Sequence, residues 1–434
     1  MKIHLIGIGG IGVSALAQYY ISKGYQVSGS DLVESEITDL VREKGAKIFI
    51  GNSAENISTN INLVVYSPAV KPDNPEYKMA KELGIKIQTY PEALGELTKE
   101  FYTIAIAGAH GKSTTTAMAG LVLAGAGLDP TVIVGTRVKE FGDSNFRAGK
   151  SKLLVIEACE YDSSFLHYLP KIIAITNIDK EHLDYFKTFA NVKKAFKNFV
   201  VRLPVDGHLV FNKDDKYPPK IVKPKFKIIG YSVKQKEAGR LKKILKVPGM
   251  HNVSNALAVL AVAKILNIPN RVAFGALSKF NGTWRRFEIK EGEADGKKIT
   301  VISDYAHHPN EISATLKATR RKYPKEKIWC IFQPHQHQRT FYLFNDFVKT
   351  FQQTQDQCLV DNLIITDIYD VAGRETKKIN SEVSAEKLVK KIDRKNVVYM
   401  PMAEIVKFIR EKIGAGDVLI IMGAGDIYKL ADKF

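Results

Sequence analysis

The chain has 434 residues, 45% hydrophobic and 25% charged, a balance that fits two or three globular domains and excludes a disordered or fibrous chain. No apolar run approaches the ~20 residues of a membrane span. The opening MKIHLIGIGG lacks a secretory signal's apolar core, and Cys159, Cys330 and Cys358 match no disulfide or zinc spacing. A cytoplasmic protein without membrane insertion is therefore expected. The formal charge of +18 raises nucleic acid as a partner. The lysines, however, are spread over predicted helices, with no arginine-rich arm or aromatic-interleaved stripe. No nucleic-acid binding is expected, and the excess charge reads as a solvated surface that favours approach of small polyanions.

The first predicted strand, Ile3–Ile8, runs into the loop Gly7-Ile-Gly-Gly-Ile-Gly12, followed by a helix over Val13–Lys23. A second strand, Tyr25–Gly29, has Asp31 just past its end. A glycine loop between strand and helix, with an acid about 20 residues on, is the dinucleotide-binding fingerprint. Taken alone it predicts an NAD enzyme. Strands at Lys47–Ile50 and Leu63–Tyr66, then Ser67-Pro68, a helix near Asn74–Leu83 and a strand at Ile85–Gln88 complete a small α/β domain ending near Glu96–Lys99.

A buried strand, Phe101–Ala107, breaks at Gly108-Ala-His-Gly-Lys-Ser113 and leads into a helix opening near Gly111. Glycines let backbone N–H groups approach an anion, and a helix N-terminus adds partial positive charge. Lys112 then reaches terminal phosphates and the Ser113 hydroxyl ligates Mg²⁺. The loop is shorter than the usual P-loop, and a bare GxxGK also fits a tight turn with an exposed lysine. The strand before and helix after favour a nucleotide site. An ordinary dehydrogenase needs only the first loop and a kinase or NTPase only the second. An enzyme that joins a nucleotide-linked substrate to something else, driven by ATP, uses both.

The strand Lys152–Ile156 runs into Glu157-Ala-Cys-Glu160-Tyr-Asp162. An acid at the carboxyl end of a strand beside a P-loop strand is placed to hold Mg²⁺. Glu157 directly follows the apolar run and is the chosen ligand; Glu160 and Asp162 fit solvated loop acids. Lys171–Thr176 ends in Asn177-Ile-Asp179-Lys-Glu-His182-Leu-Asp184, where His182 suits either a structural role or a metal or phosphate role. Asn252 and Asn255 share one face of a helix running to about Leu266, as caps and packing amides or as contacts to a base or sugar. Arg285-Arg286 reads as a phosphate clamp or as a solvated basic turn.

From Glu288 the pattern is again α/β, with strands at Lys298–Ile302, Ile328–Phe332, Leu363–Thr366 and Val418–Met422. They end in Asp304-Tyr305-Ala-His307-His308, in Gln333-Pro-His335-Gln-His337-Gln-Arg339, in the stretch Asp367–Glu375, and in Gly423–Asp426. In an open parallel sheet that edge binds ligands. The histidines lack a cysteine or HExxH partner, so zinc is not expected.

Over essentially its whole length the chain resembles the Mur ligases of bacterial cell-wall synthesis. The motifs are GIGGIG at Gly7–Gly12, AGAHGKSTTT at Ala107–Thr116, EACEYD at Glu157–Asp162 and NIDKEHLD at Asn177–Asp184. They continue with HNVSNA at His251–Ala256, RRFE at Arg285–Glu288, DYAHHPNEI at Asp304–Ile312, FQPHQHQRT at Phe332–Thr340 and GAGDIYKL at Gly423–Leu430. The resemblance implies three α/β domains: a Rossmann-like domain (1–98) that binds UDP-sugar, a central P-loop ATPase-type domain with a mostly parallel sheet (99–287), and a C-terminal Rossmann-like domain (288–434) for the amino acid. The implied reaction is ATP-dependent attachment of L-alanine to the lactyl carboxylate of UDP-N-acetylmuramate, through an acyl phosphate and a tetrahedral intermediate, with Mg²⁺ or Mn²⁺. Domain closure is expected, because the substrates must be brought into contact.

By the same resemblance, Gly7, Gly9, Gly10, Ile11, Gly12, Asp31 and Ser67 hold the UDP-sugar. Gly108, Ala109, His110, Gly111, Lys112, Ser113 and Thr114 hold ATP phosphates, Asn252 and Asn255 face adenine, Arg286 the phosphates and Asp304 the ribose. Ser113 and Glu157 hold one metal and His182 a second. Tyr305, His335 and Arg339 line the amino-acid pocket, so that Lys112, Glu157, His182 and Arg339 form the catalytic set, in a monomer or homodimer. Three departures stand out: Ser113 replaces the usual threonine, Gln336 replaces an arginine, and Phe196 takes the place of a metal-bridging lysine, with Lys197 adjacent. The alternatives are the family's tripeptide-adding recycling branch, a silent scaffold, and an NAD oxidoreductase that leaves the second loop, Glu157 and His182 unexplained.

Overall fold

Each apolar run forms a strand, and the strands assemble into three sheets. The computed structural model describes residues 1–217, 224–370 and 382–434; residues 371–375 of the stretch Asp367–Glu375 lie outside them. The first sheet contains β1 (Lys2–Ile6), β2 (Gln26–Asp31), β3 (Lys47–Ile50), β4 (Leu63–Tyr66) and β5 (Lys86–Thr89), all parallel, in the order β3-β2-β1-β4-β5. Strand order reverses between β1 and β4, so the loop after β1 opens at the switch point where such sheets bind ligands.

The second sheet is built from β6 (Tyr102–Ala107), β7 (Thr131–Val138), β8 (Ser144–Arg147), β9 (Leu153–Glu157), β10 (Ile172–Ile175), β11 (His208–Asn212) and β12 (Lys227–Tyr231). Its order is β12-β11-β10-β6-β9-β7-β8, parallel except for the β7–β8 pair. The strand before the second glycine loop, β6, is therefore flanked by β9 and β10. The third sheet contains β13 (Glu288–Ala294), β14 (Lys297–Asp304), β15 (Ile328–Phe332), β16 (Asn362–Ile365), β17 (Val397–Tyr399) and β18 (Val418–Met422), in the order β13-β14-β18-β15-β16-β17, with only β13 antiparallel. Alternate residues of its central strands enter opposite cores. Ile302, Cys330, Phe332, Ile420 and Met422 pack on one side, Val301, Trp329, Ile331, Leu419 and Ile421 on the other. A parallel sheet buried on both faces is why these strands are continuously apolar.

Cα proximity divides the chain into two compact units. One comprises Met1–Glu181, Phe189–Ile244 and Ser254–Phe280; the other comprises His182–Thr188, Leu245–Val253 and Asn281–Phe434. In the first unit, the helix Ile11–Ser22 that follows the first glycine loop packs on β7 and β8. Buried amides join them. Gln18 Nε2 donates to Asn145 Oδ1 (2.7 Å) and Ser144 Oγ donates to Gln18 Oε1 (2.8 Å). Asn145 Nδ2 donates to the Ile11 carbonyl (2.5 Å) and Ser14 Oγ (2.8 Å). Among the described residues no helix is long and apolar enough to cross a membrane.

Because a buried polar group left without a partner is costly, Asn145→Ala should lower stability by about 1–3 kcal/mol. The check is the urea midpoint at unchanged m-value.

Candidate functional site

After β1 the chain turns sharply: Gly7 N–H and Ile8 N–H both donate to the Ser30 carbonyl, at 2.8 and 3.0 Å, and Gly10 N–H donates to the Gly7 carbonyl at 3.0 Å. The turn is braced by an acid from β2. Asp31 Oδ2 accepts from Gly9 N–H (2.8 Å) and Oδ1 from Leu32 N–H (2.8 Å). Asp31, which the fingerprint aims at a ribose, thus stiffens the loop from beneath. Ser67, at the end of neighbouring β4, closes the other side, 3.0 Å from where a Cβ on Gly7 would stand. Gly12 is required by close approach: a Cβ there would lie 2.8 Å from the Tyr90 ring. Gly7, Gly9, Gly10, Ile11, Gly12, Asp31 and Ser67 are therefore brought together. Burial, with Glu157 and Cys159 nearby, pushes the Tyr90 phenol above its usual range, so it stays a neutral donor.

The second loop is held from both neighbouring strands. From the end of β10, the Asn177 carbonyl accepts from Ala109 N–H (3.1 Å) and Asn177 Oδ1 from His110 N–H (2.9 Å). Thr176 Oγ1 (2.6 Å) and Asn177 Nδ2 (3.0 Å) donate to the His110 carbonyl, and His110 Nε2 lies 3.2 Å from Asp179 Oδ2. Gly111 then starts the helix Lys112–Gly125 with φ +80°, and a Cβ there would stand 2.5 Å from Asn255 Oδ1. Only glycine fits. Asn255 is thereby placed against the loop itself, whereas Asn252 Nδ2 donates to the Pro248 carbonyl at 2.6 Å. The buried side chains of Ser113 and Thr114 sit in the first turn, where amides lack helical acceptors.

On the other side, β9 delivers Glu157 beside the end of β6, opposite Ile106, and Glu157 Oε2 accepts from Gly135 N–H at 2.8 Å. Glu160 differs from its expected place as a solvated loop acid. It is fully buried, and its oxygens lie 3.0 and 3.3 Å from Lys112 Nζ. Burial disfavours the charge on Lys112, but the Glu160 carboxylate, with Cys159 and Glu157 adding to it, outweighs burial and holds the ammonium charged. Asp162 is exposed, as expected. In the helix Phe189–Val200, Phe196 is buried against Phe165, and Lys197 is exposed.

In the second unit, His182 has φ +56° and heads the turn Leu183–Phe186, which packs against the helix His337–Tyr342 that carries Arg339. A left-handed histidine is a strained position of the kind found at functional sites. The arginine pair splits. Arg285 is buried, donates from Nη2 to the Gly423 and Gly425 carbonyls at 2.7 and 2.9 Å, and is ringed by Trp284, Tyr305 and Tyr428. It is structural. Arg286 lies over Tyr305 at 4.7 Å and 3.8 Å from Glu311. Asp304, at the end of β14, accepts from Phe287 N–H (2.8 Å) and Ala306 N–H (2.7 Å). Burial, partly opposed by Arg286, pushes its carboxyl up to about 6.

The ends of β14, β15 and β16 assemble the remaining candidates. Tyr305 meets His307 at 5.3 Å between ring centroids, and His307 meets His335 at 6.0 Å. Arg339 Nη1 donates to His335 Nδ1 (2.9 Å) and to its carbonyl (3.2 Å). Tyr369, which the motifs did not single out, stacks on His335 at 5.5 Å and 9°. Gln336 is buried, with φ +71°, and its N–H donates to the Tyr369 carbonyl. Sequence reasoning also passed over Thr176, Asn177 and Asp179; their position at a strand end beside β6 was the available signal. Glu160 carried no such signal, because its burial depends on Lys112.

Three consecutive family descriptions match the chain: Mur ligase family, catalytic domain, over residues 2–102; Mur ligase middle domain over 106–263; and Mur ligase, glutamate ligase domain over 285–425. The UDP-N-acetylmuramate–L-alanine ligase of Alkaliphilus metalliredigens is 41% identical over 454 residues, covering 99% of this chain and 96% of that protein. The protein of the same name from Aquifex aeolicus is 41% identical over 458 residues, covering 100% and 97%. Among solved structures, UDP-N-acetylmuramate-alanine ligase MurC of Thermotoga maritima superposes with TM-score 0.81 at 29% identity, covering 100% of this chain and 98% of that one. A murein peptide ligase from Psychrobacter arcticus shares the fold at TM-score 0.73 and 23% identity, covering 100% and 98%.

Asp304 supplies a pH test. Its folded pKa of about 6 exceeds the unfolded value of about 4, so the folded state holds the extra proton between them. Stability should therefore fall as pH rises across that window, by up to about 3 kcal/mol. Urea titrations from pH 4 to 7 should show this slope in the wild type and its loss in Asp304→Asn, whatever the variant's absolute stability.

Proposed function

This chain belongs to the Mur ligase family, and on that premise we propose that it joins L-alanine to the lactyl carboxylate of UDP-N-acetylmuramate. ATP drives the reaction and leaves as ADP and phosphate, a step of peptidoglycan precursor synthesis. The observation that carries this reading is the pairing of two different phosphate loops in one unit, the second with Lys112 and Ser113 flanked by Glu157. The functional division follows the sheets, with 1–98 serving the UDP-sugar, 99–287 ATP and 288–434 the amino acid. Water-soluble nucleotide substrates place the reaction in the cytoplasm.

A carboxylate is a poor electrophile, so the lactyl group first takes the γ-phosphoryl of ATP. The alanine amine then attacks the acyl phosphate, and phosphate leaves from the tetrahedral intermediate. The protein's part is positioning and electrostatics. The backbone N–H groups of the first loop hold the pyrophosphate of the sugar nucleotide, a task that needs no nicotinamide. Lys112 offsets charge on the transferring phosphoryl. Arg339, steadied by His335, pairs with the carboxylate of the incoming amino acid, while Tyr305 lines its pocket. Asn252, Asn255, Arg286 and Asp304 complete the ATP contacts.

Ser113 and Glu157 offer oxygen donors beside the loop, a set that suits a hard cation, Mg²⁺ or Mn²⁺. Such an ion would neutralise phosphate charge; His182 is the proposed ligand of a second.

Phosphate release should require ATP, the divalent cation and UDP-N-acetylmuramate, and should be faster with L-alanine than with glycine, L-serine or the tripeptide. Release with the tripeptide alone would move the chain to the recycling branch. Lys112→Ala should lower kcat by orders of magnitude while calorimetric UDP-sugar affinity stays nearly unchanged. Arg339→Lys should raise KM for L-alanine roughly tenfold or more, because lysine cannot reproduce a two-pronged carboxylate contact. Steady-state kinetics with saturating ATP is the check, and an unchanged KM would remove Arg339 from the acceptor site.

A further inference from the structure

Lys112 does not extend from its helix toward open space. Its ammonium folds back over its own loop, 2.5 Å from the Gly108 carbonyl and 3.1 Å from the Ala109 carbonyl, and meets both oxygens of Glu160. An ammonium has three protons to donate, so these partners engage all of its directions. Of them only Glu160 is charged. Its segment passes through two consecutive left-handed residues: Asp162 and Ser163 both have φ +53°. Ser163 N–H also donates to the Glu160 carbonyl (2.9 Å), and Phe165 N–H to the Cys159 carbonyl (3.1 Å). Conformations of this kind persist where surrounding structure fixes them. Their effect here is to point a carboxylate into the loop that is built for an anion.

We infer that Glu160 is a positioning residue that stands in for the terminal phosphates, competing with ATP for Lys112 and recapturing the lysine when ADP leaves. This rests on the ATP reading above and goes beyond it by assigning a role to an acid outside the metal-ligand set. Two physical consequences follow. A buried carboxylate beside the phosphate site opposes ATP and ADP alike, since like charges repel strongly where water is excluded. It also keeps Lys112 charged and ordered in the empty enzyme, so binding exchanges one charge-assisted partner for another.

The test is calorimetric binding of ATP and ADP to the full chain in wild type, Glu160→Gln and Glu160→Asp, with UDP-sugar binding measured alongside. Glutamine preserves volume and an acceptor but removes the charge. Both nucleotides should then bind roughly tenfold tighter, the scale of one charge-assisted hydrogen bond. KM for ATP should fall with it, whereas loss of a merely structural contact would raise it. Aspartate keeps the charge and should stay near wild-type affinity. Unchanged or weaker nucleotide binding in Glu160→Gln, with UDP-sugar binding retained, overturns the inference.

A second measurement does not depend on any variant folding: a crystal structure of the unaltered chain with a non-hydrolysable ATP analogue. Lys112 Nζ should be on a phosphate oxygen and out of reach of Glu160; a Lys112–Glu160 pair that survives beside bound phosphates overturns the inference. A wild type that binds no ATP defeats the functional reading and this inference with it. A wild type that consumes ATP with sugar and L-alanine, but gains no affinity in Glu160→Gln, defeats the competition alone.

Discussion

A lysine ammonium buried in a glycine loop needs a counter-charge, and much of the central site follows from that need. Lys112 is enclosed by the Gly108 and Ala109 carbonyls, and Glu160 supplies the opposite charge. Burial disfavours the charge on Lys112, and the Glu160 carboxylate offsets that effect. The parallel sheet makes the pairing possible. Because β6 lies between β9 and β10, the loop after β6 is reached from one side by Glu157 and Glu160 and from the other by Thr176, Asn177 and Asp179. The side chains that shape the loop come from neighbouring strands rather than from the loop itself.

The first glycine loop uses the same device with a different outcome. Asp31, one strand over, accepts from Gly9 N–H and stiffens the turn without presenting a lysine or a metal ligand. Such a loop can hold a pyrophosphate, but it has nothing with which to neutralise a phosphoryl group in transfer. The two loops therefore differ in the charged side chains they present. The buried Gln18–Asn145 network keeps the helix behind the first loop seated on β7 and β8 of the second sheet.

The third sheet handles charge in another way. Arg285 is buried among aromatic rings and bonded to backbone carbonyls, and Asp304 accepts two backbone N–H groups. These two groups fix the chain on either side of Arg286, which remains partly accessible over Tyr305. Fixing the backbone at Phe287 and Ala306 leaves the ends of β14 and β15 free to place Tyr305, His307 and His335 in one cluster.

The sequence by itself determined the strands that lead into both loops and the positions of those loops, because continuous apolar runs and glycine spacing are local signals that tertiary contacts seldom override; β7, β8, β11, β12, β13 and β17 were not among the predicted strands. It also determined which residues follow the strands, since the carboxyl ends of parallel strands lie at one edge. Gly7–Gly12, Gly108–Ser113 and Glu157 were legible for that reason, whereas Tyr305, His335 and Arg339 were singled out as a set by the family resemblance. Only the tertiary structure decided what each charged side chain faces. Arg285 and Arg286 are adjacent and chemically identical, yet one is enclosed by carbonyls and rings and the other lies at the surface of a tyrosine. Glu160 reads as a loop acid until Lys112 is brought to it across the sheet. Asn255 reads as a helix-face amide until it meets Gly111. Burial and pairing of charges depend on strand order, and strand order joins residues too far apart in the chain for any local pattern to record.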